Sequence, residues 1–144
     1  MRIALLVREC VHKQNWANVF IAEPRATGVD AYETDSFFPS GHEFYNDCVS
    51  GLSASGYLIE VARQANLAIC HRFLAVPLDA GFLVTSIDWR FCAATPFVAP
   101  GADGFVVRTS VVTTSRRKDA LCRLTTRSSF YVDEQPFLEG GASF

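Results

Sequence analysis

At 144 residues the chain has the length of one domain, and a composition of 49% hydrophobic and 19% charged residues suits a packed core and excludes a disordered polymer. A net charge of −2 offers no bulk attraction to nucleic acid or to an anionic membrane. The apolar run in MRIALLVREC is too short for a secretory leader, and no stretch of 18 apolar residues occurs, so a soluble, cytoplasmic protein is expected.

In chain order, ANVFIAE (17–23) is a short apolar run ended by Pro24, and GVDAYETDSFF (28–38) alternates loosely up to Pro39. Both read as strands. The polar, Gly- and Ser-rich PSGHEFYNDCVSGLSAS that follows reads as a long loop. From Ser53 to Val76 the spacing predicts a helix, because Leu58, Val61, Ala62, Ala65, Ala68, Ile69 and Phe73 fall on one face at a 3.6-residue period. Ser53 or Ser55 is placed to cap its start, and Pro77 to stop it.

Four further segments, GFLVTSIDWRFCA (81–93), GFVVRTSVVTTS (104–115), DALCRLTTRSSFYV (119–132) and PFLEGGASF (136–144), are rich in β-branched and aromatic residues. Successive strands linked by short turns imply an antiparallel sheet. With a single helix available to cover it, the predicted fold is α+β: one domain over residues 1–144, an antiparallel sheet wrapped around one long central helix, the hotdog arrangement. Such a sheet leaves an edge exposed, which predicts a dimer.

The helix carries Glu60, Arg63 and Gln64 in its middle, which burial alone does not require. A carboxylate there suits proton transfer once its desolvation is tuned; equally, Glu60 can pair with Arg63 at i,i+3 or with Gln64 at i,i+4. Cys10, Cys48, Cys70, Cys92 and Cys122 show no Cys-x-x-Cys or Cys/His ligand spacing and read as reduced, mostly buried thiols. No metal is expected. His71 suits the C-terminal end of the helix dipole, and His12 has no partner visible in the sequence. Arg116, Arg117 and Lys118 sit in a turn between two strands, a solvated hairpin that is also a candidate docking patch for an acidic carrier.

Taken in order, His42-x-Phe44-Tyr45, Glu60-x-x-Arg63-Gln64 and Val76-Pro77-Leu78 resemble the A-factor-biosynthesis (AfsA-type) hotdog family over roughly residues 11–91. In its butyrolactone-forming members, which carry two such domains where this chain has one, the resemblance implies β-ketoacyl transfer from an acyl carrier protein. The helix is also similar to that of β-hydroxyacyl carrier-protein dehydratases, where a helix Glu works with a His from the preceding loop. Counting back from Glu60 by that spacing lands on Asn46, with His42 four residues earlier. Since the acid and the His of those enzymes meet across a dimer interface, the resemblance implies half of a heterodimer whose partner supplies the His, with a homodimer as the alternative.

The functional expectation is a subunit acting on acyl thioesters in polyketide or fatty-acid-like secondary metabolism, of dehydratase type. Glu60, Gln64 and His42 are its expected catalytic residues, Asn46, Asp47 and Arg63 its substrate-binding residues, and Arg116, Arg117 and Lys118 its carrier-docking residues. The substrate would ride on the phosphopantetheine of a carrier protein or on coenzyme A, with no further cofactor. The alternatives are AfsA-type transfer, thioester hydrolysis, and a non-catalytic acyl-binding or dimer-completing protein.

Overall fold

The computed structural model describes residues 8–37, 55–92 and 104–144. The loop expected before the helix, with His42, Asn46, Asp47, Cys48 and the Ser53 cap, lies outside the described residues.

After two short 3₁₀ helices, Arg8–Val11 and Trp16–Asn18, one α-helix and six strands make up the described chain, in the order β1 (Arg25–Gly28), β2 (Ala31–Phe37), α1 (Ser55–Phe73), β3 (Ser86–Phe91), β4 (Gly104–Arg117), β5 (Ala120–Val132) and β6 (Gln135–Ser143). All pairs are antiparallel, and the strand order across the sheet is β1-β2-β4-β5-β6-β3. Two hairpins build its centre. Their turns, Lys118-Asp119 and Asp133-Glu134, have all four φ between 48° and 68°, the left-handed conformation that lets a two-residue loop follow the twist of the strands. The solvated hairpin expected around residues 115–119 is therefore present.

β3 departs from the expected order. It pairs with β6, Ser86 opposite Ser143, and not with its successor β4, so it closes the far edge of the sheet. Trp89 faces Gly140 across that pairing, and a Cβ at Gly140 would lie 2.6 Å from the indole Cδ2. A glycine is needed here for close approach, and the sequence supplies it.

Two segments differ from the sequence reading at the amino-terminal end. The apolar run 17–23 is not a strand: Trp16–Asn18 forms a 3₁₀ turn capped by the Asn15 side chain, and only an isolated bridge, Ile21 to Ser36, follows. Its apolar side chains serve packing against the helix, with Phe20 edge-on to Tyr57. The true first strand, Arg25–Gly28, is exposed throughout and so carries no hydrophobic pattern to read.

α1 spans Ser55–Phe73 among the described residues and ends at Phe73, before the expected Val76. It ends before Pro77, because Ala75 turns left-handed at φ 56° and the Val76 N–H donates back to the Cys70 carbonyl. Leu58, Val61, Ala62, Ala65, Ala68 and Ile69 are buried as expected, but Phe73 is 41% exposed and lies against Tyr32 instead. Tyr57, Gln64, Asn66, Leu67 and Cys70 are buried as well, so the helix is covered on nearly every side by the sheet and the amino-terminal segment. No helix among the described residues is long and apolar enough to cross a membrane.

The inner sheet face alternates in β2, β4 and β5, but it is not purely apolar. Thr34, Thr109, Thr126 and Ser128 are buried there, and the Thr109 and Ser128 hydroxyls, opposite one another in register, hydrogen-bond at 2.8 Å.

Candidate functional site

Residues three and four apart stack on one stripe of a helix, so Glu60, Arg63 and Gln64 meet by construction. Arg63 holds the Glu60 carboxylate in a fork, Nε to Oε2 at 2.8 Å and Nη2 to Oε1 at 2.9 Å. Gln64 Nε2 donates to the same Oε1 at 2.9 Å, and Lys13 Nζ sits 2.9 Å from it. The three side chains also grip the amino-terminal segment. Arg63 donates to the Val11 carbonyl, while Gln64, fully buried, accepts from the Phe20 N–H at 2.9 Å and donates to the Asn18 carbonyl at 2.7 Å. The cluster is a clasp that binds residues 11–20 to the central helix.

Its electrostatics follow from the same contacts. Burial raises the Glu60 pKa, but hydrogen bonds from Arg63, Gln64 and Lys13 outweigh it and hold the carboxyl at about 2. Such a group is ionised at neutral pH and is a weak base there.

A second polar cluster lies at the other end of α1. His12 and His71, 59 residues apart, meet with their Nε2 atoms 3.0 Å from each other. His71 Nδ1 is 2.9 Å from the Val76 carbonyl, while burial, with His71 and Arg63 close by, holds the His12 pKa below its ordinary 6.5 against a hydrogen bond from the His12 ring to the Leu78 backbone. The Phe82 ring is edge-on to both imidazoles, at 5.8 Å and 5.5 Å between centroids. Phe82 in turn lines a groove of about 590 Å³ between residues 76–85 and strands β5 and β6. Val76, Leu83, Leu121, Leu124 and Phe144 give it apolar walls, with Arg123, Thr125 and Ser143 as polar groups. Its size falls within the roughly 300–1,000 Å³ of small-molecule sites.

Sequence comparison decides the family. The model of the A-factor biosynthesis hotdog domain matches residues 2–137. This chain belongs to the A-factor biosynthesis hotdog domain family. No curated protein sequence gives a significant match. Solved structures share the hotdog architecture: a conserved protein from Pseudomonas aeruginosa has a TM-score of 0.60 at 17% identity, covering 96% of this chain and 98% of that one. A Helicobacter felis protein scores 0.57 at 15% identity, covering 95% and 97%. A Shewanella oneidensis protein provisionally named a thioesterase scores 0.54 at 11% identity, covering 85% and 81%. At these identities the likeness is one of fold.

Within this A-factor-type hotdog domain, the expected site residues are dispersed. Glu60, Arg63 and Gln64 come together in the clasp, and none of them lines the groove. His42, Asn46 and Asp47 lie outside the described residues. Of the basic turn, Arg116 is engaged: Nη1 donates to the Asp119 carbonyl and Nη2 to the Leu74 carbonyl, tying the hairpin to the helix end. Arg117 and Lys118 are exposed. Cys10 and Cys70 are buried, and burial pushes the Cys70 thiol up to about 12, as befits an inert packing residue. Lys13 and the His12–His71 pair have no signal in the sequence, because their partners on the helix are 47 and 59 residues away.

Proposed function

We propose that this chain is the acyl-binding half of a dimeric hotdog enzyme acting on carrier-borne thioesters, in polyketide or fatty-acid-like secondary metabolism. The observation that carries the reading is the groove: an apolar cleft between residues 76–85 and strands β5 and β6, with Arg123 in its wall and Arg117 and Lys118 on the neighbouring hairpin. An acyl chain fits the apolar walls. Phosphopantetheine and an acidic carrier protein, or coenzyme A, suit the cations at the rim.

Dimerisation is supported by β3, a sheet edge paired only to β6 among the described residues, with Ile87 and Phe91 exposed on it. The chemistry of dehydration needs a base for the α-proton and an acid for the leaving hydroxyl. Glu60, committed to Arg63, Lys13 and Gln64, is fixed as an anion and so is not the acid among the described residues, and this reading assigns that group to the partner chain. The family match favours β-ketoacyl transfer as the second reading, in which the carrier thiol leaves and a substrate hydroxyl takes the acyl group.

The test is to measure binding of a medium-chain acyl-coenzyme A by calorimetry, and turnover of β-hydroxyacyl and β-ketoacyl carrier-protein substrates, with the chain alone and mixed with a second hotdog chain bearing a loop His. Binding by the chain alone, lost in Ala80→Trp, with turnover only in the mixture, is the expected result. Failure to bind any acyl thioester, or binding untouched by Ala80→Trp, would sink the reading. Product analysis separates dehydration from transfer and hydrolysis.

A further inference from the structure

We propose that the free edge of β3 pairs with the same edge of a second copy of this chain, antiparallel, about a two-fold axis at Trp89. This rests on the reading of the chain as half of a dimer, and adds the identity of the partner and the register.

Which backbone groups the edge offers follows from the β3–β6 ladder. Antiparallel strands exchange hydrogen bonds at alternate residues. The Cys92 N–H donates to the Phe137 carbonyl, one step beyond Phe91 opposite Leu138, so Ser86, Asp88 and Arg90 turn their N–H and C=O groups toward β6. Ile87, Trp89 and Phe91 turn theirs to the side that no strand among the described residues covers. Two copies centred on Trp89 set Ile87 against the partner's Phe91, Trp89 against the partner's Trp89, and Phe91 against the partner's Ile87. Every outward backbone group of those three residues then finds a partner.

The side chains select that register. An axis between two residues would set an inner residue against an outer one, so the axis passes through a residue. At Asp88 it would oppose two aspartates and at Arg90 two arginines, and like charges directly opposite one another are destabilising. At Ile87 or Phe91 it would run most of the strand past its partner's end. At Trp89 it sets Asp88 against the partner's Arg90, and Arg90 against the partner's Asp88. On the same outer face Asp88 already meets Arg127 at 3.0 Å, and Arg90 meets Glu139 at 3.3 Å. Pairing extends both rows with alternating sign: Arg127, Asp88, the partner's Arg90, the partner's Glu139.

The inner face agrees. Trp89 packs edge-on to Phe130 in the core, while Ile87 and Phe91, on either side of it, are 47% and 52% exposed. In the pair each of them becomes the cross-strand neighbour of the other in the second copy, which takes both out of water. β3 has one free edge, so self-pairing and pairing with a second hotdog chain exclude each other there.

Cross-linking reads the register directly. Positions 88 and 90 of the two copies form a pair without main-chain bonds, whose Cα atoms lie about 4.5 Å apart, within the roughly 4.4–6.8 Å that a disulfide spans. The two positions 88 stand on the order of 8 Å apart, out of reach, and so do the two positions 90. Asp88→Cys and Arg90→Cys are made separately and oxidised mildly, each alone and after mixing, with the unsubstituted chain as control. Linked dimers are read on a non-reducing gel and the bridge is located by peptide mass spectrometry. The unsubstituted chain should sediment as a dimer, and the bridge between positions 88 and 90 should form in the mixture and in neither variant alone. Asp88→Arg, which opposes two arginines twice over, should weaken the dimer by about tenfold or more at low salt, and mixing it with Arg90→Asp should restore it. A dimer with no bridge in the mixture, or with equal bridging in either variant alone, overturns the register. A chain that is monomeric at micromolar concentration but dimerises with a second hotdog chain overturns self-pairing and keeps the dimeric reading; a monomer under both conditions refutes both.

Discussion

Glu60→Gln asks how much the buried anion contributes to holding residues 11–20 on the helix. In the folded chain its carboxyl has a pKa of about 2, against 4.5 for an unconstrained one. At roughly 1.4 kcal/mol per pH unit that drop corresponds to about 3 kcal/mol of stability at neutral pH, and solvent screening on the Lys13 side reduces it to about 2 kcal/mol. Because the folded pKa is depressed, the contribution is complete above pH 4.5 and is lost as the pH falls toward 2. Glutamine preserves the shape but leaves Arg63 and Lys13 facing each other without their anion. Urea unfolding followed by circular dichroism should show the variant about 2 kcal/mol less stable at pH 7, with about half that gap remaining near pH 3. Equal midpoints at pH 7 would mean that the cluster holds nothing, and a gap unchanged at pH 3 would assign the effect to packing instead of charge.

Gly140→Ala drives a methyl into the Trp89 indole and should destabilise the chain by about 1–3 kcal/mol, read as a lowered melting temperature with the β3–β6 amides exchanging first. Thr126 Oγ1 is buried without a hydrogen-bond partner among the described residues, so Thr126→Val should leave stability unchanged or raise it by about 1 kcal/mol in the same melting assay; a clear loss would show that the hydroxyl is bonded. Replacing Arg117 and Lys118 together by Glu should weaken carrier-protein binding most at low salt, and weaken acyl-coenzyme A binding much less, since Arg123 remains in the groove wall and neither replaced residue lines it. Equal binding of the carrier by that double variant would remove the hairpin as its docking patch.

Local sequence signals account for much of this fold. β4, β5 and β6 follow the expected segments 104–115, 119–132 and 136–144 to within two residues, because the inner positions of β4 and β5 alternate and the turns between the three strands are short and polar. The core of α1 was legible for the same reason, in the periodic Leu58 to Ile69. Two kinds of information were not legible. Arg25–Gly28 is an exposed edge strand whose existence depends on β2 and not on its own pattern, and Phe20 is apolar for the benefit of the helix. At the candidate site, Glu60, Arg63 and Gln64 are neighbours by helix spacing and could be grouped from the sequence. What they grip, Lys13, Asn18 and Phe20, comes from a segment more than 40 residues away, and the His12–His71 meeting is likewise a product of the closed fold.

The place of β3 in the sheet has a consequence for how the chain is made. β3 emerges right after the helix, yet the strand it pairs with is β6, so that Ser86 waits for Ser143 and Phe91 for Leu138. During synthesis the helix and β3 leave the ribosome before any of the central hairpins exist to receive them, and their apolar surfaces wait on the last strand. Long-range closure of this kind slows folding and leaves nascent chains sticky. Co-expression with a partner chain or a chaperone should therefore raise the yield of soluble protein more than any stabilising change to the β4–β5 hairpin, which completes itself locally.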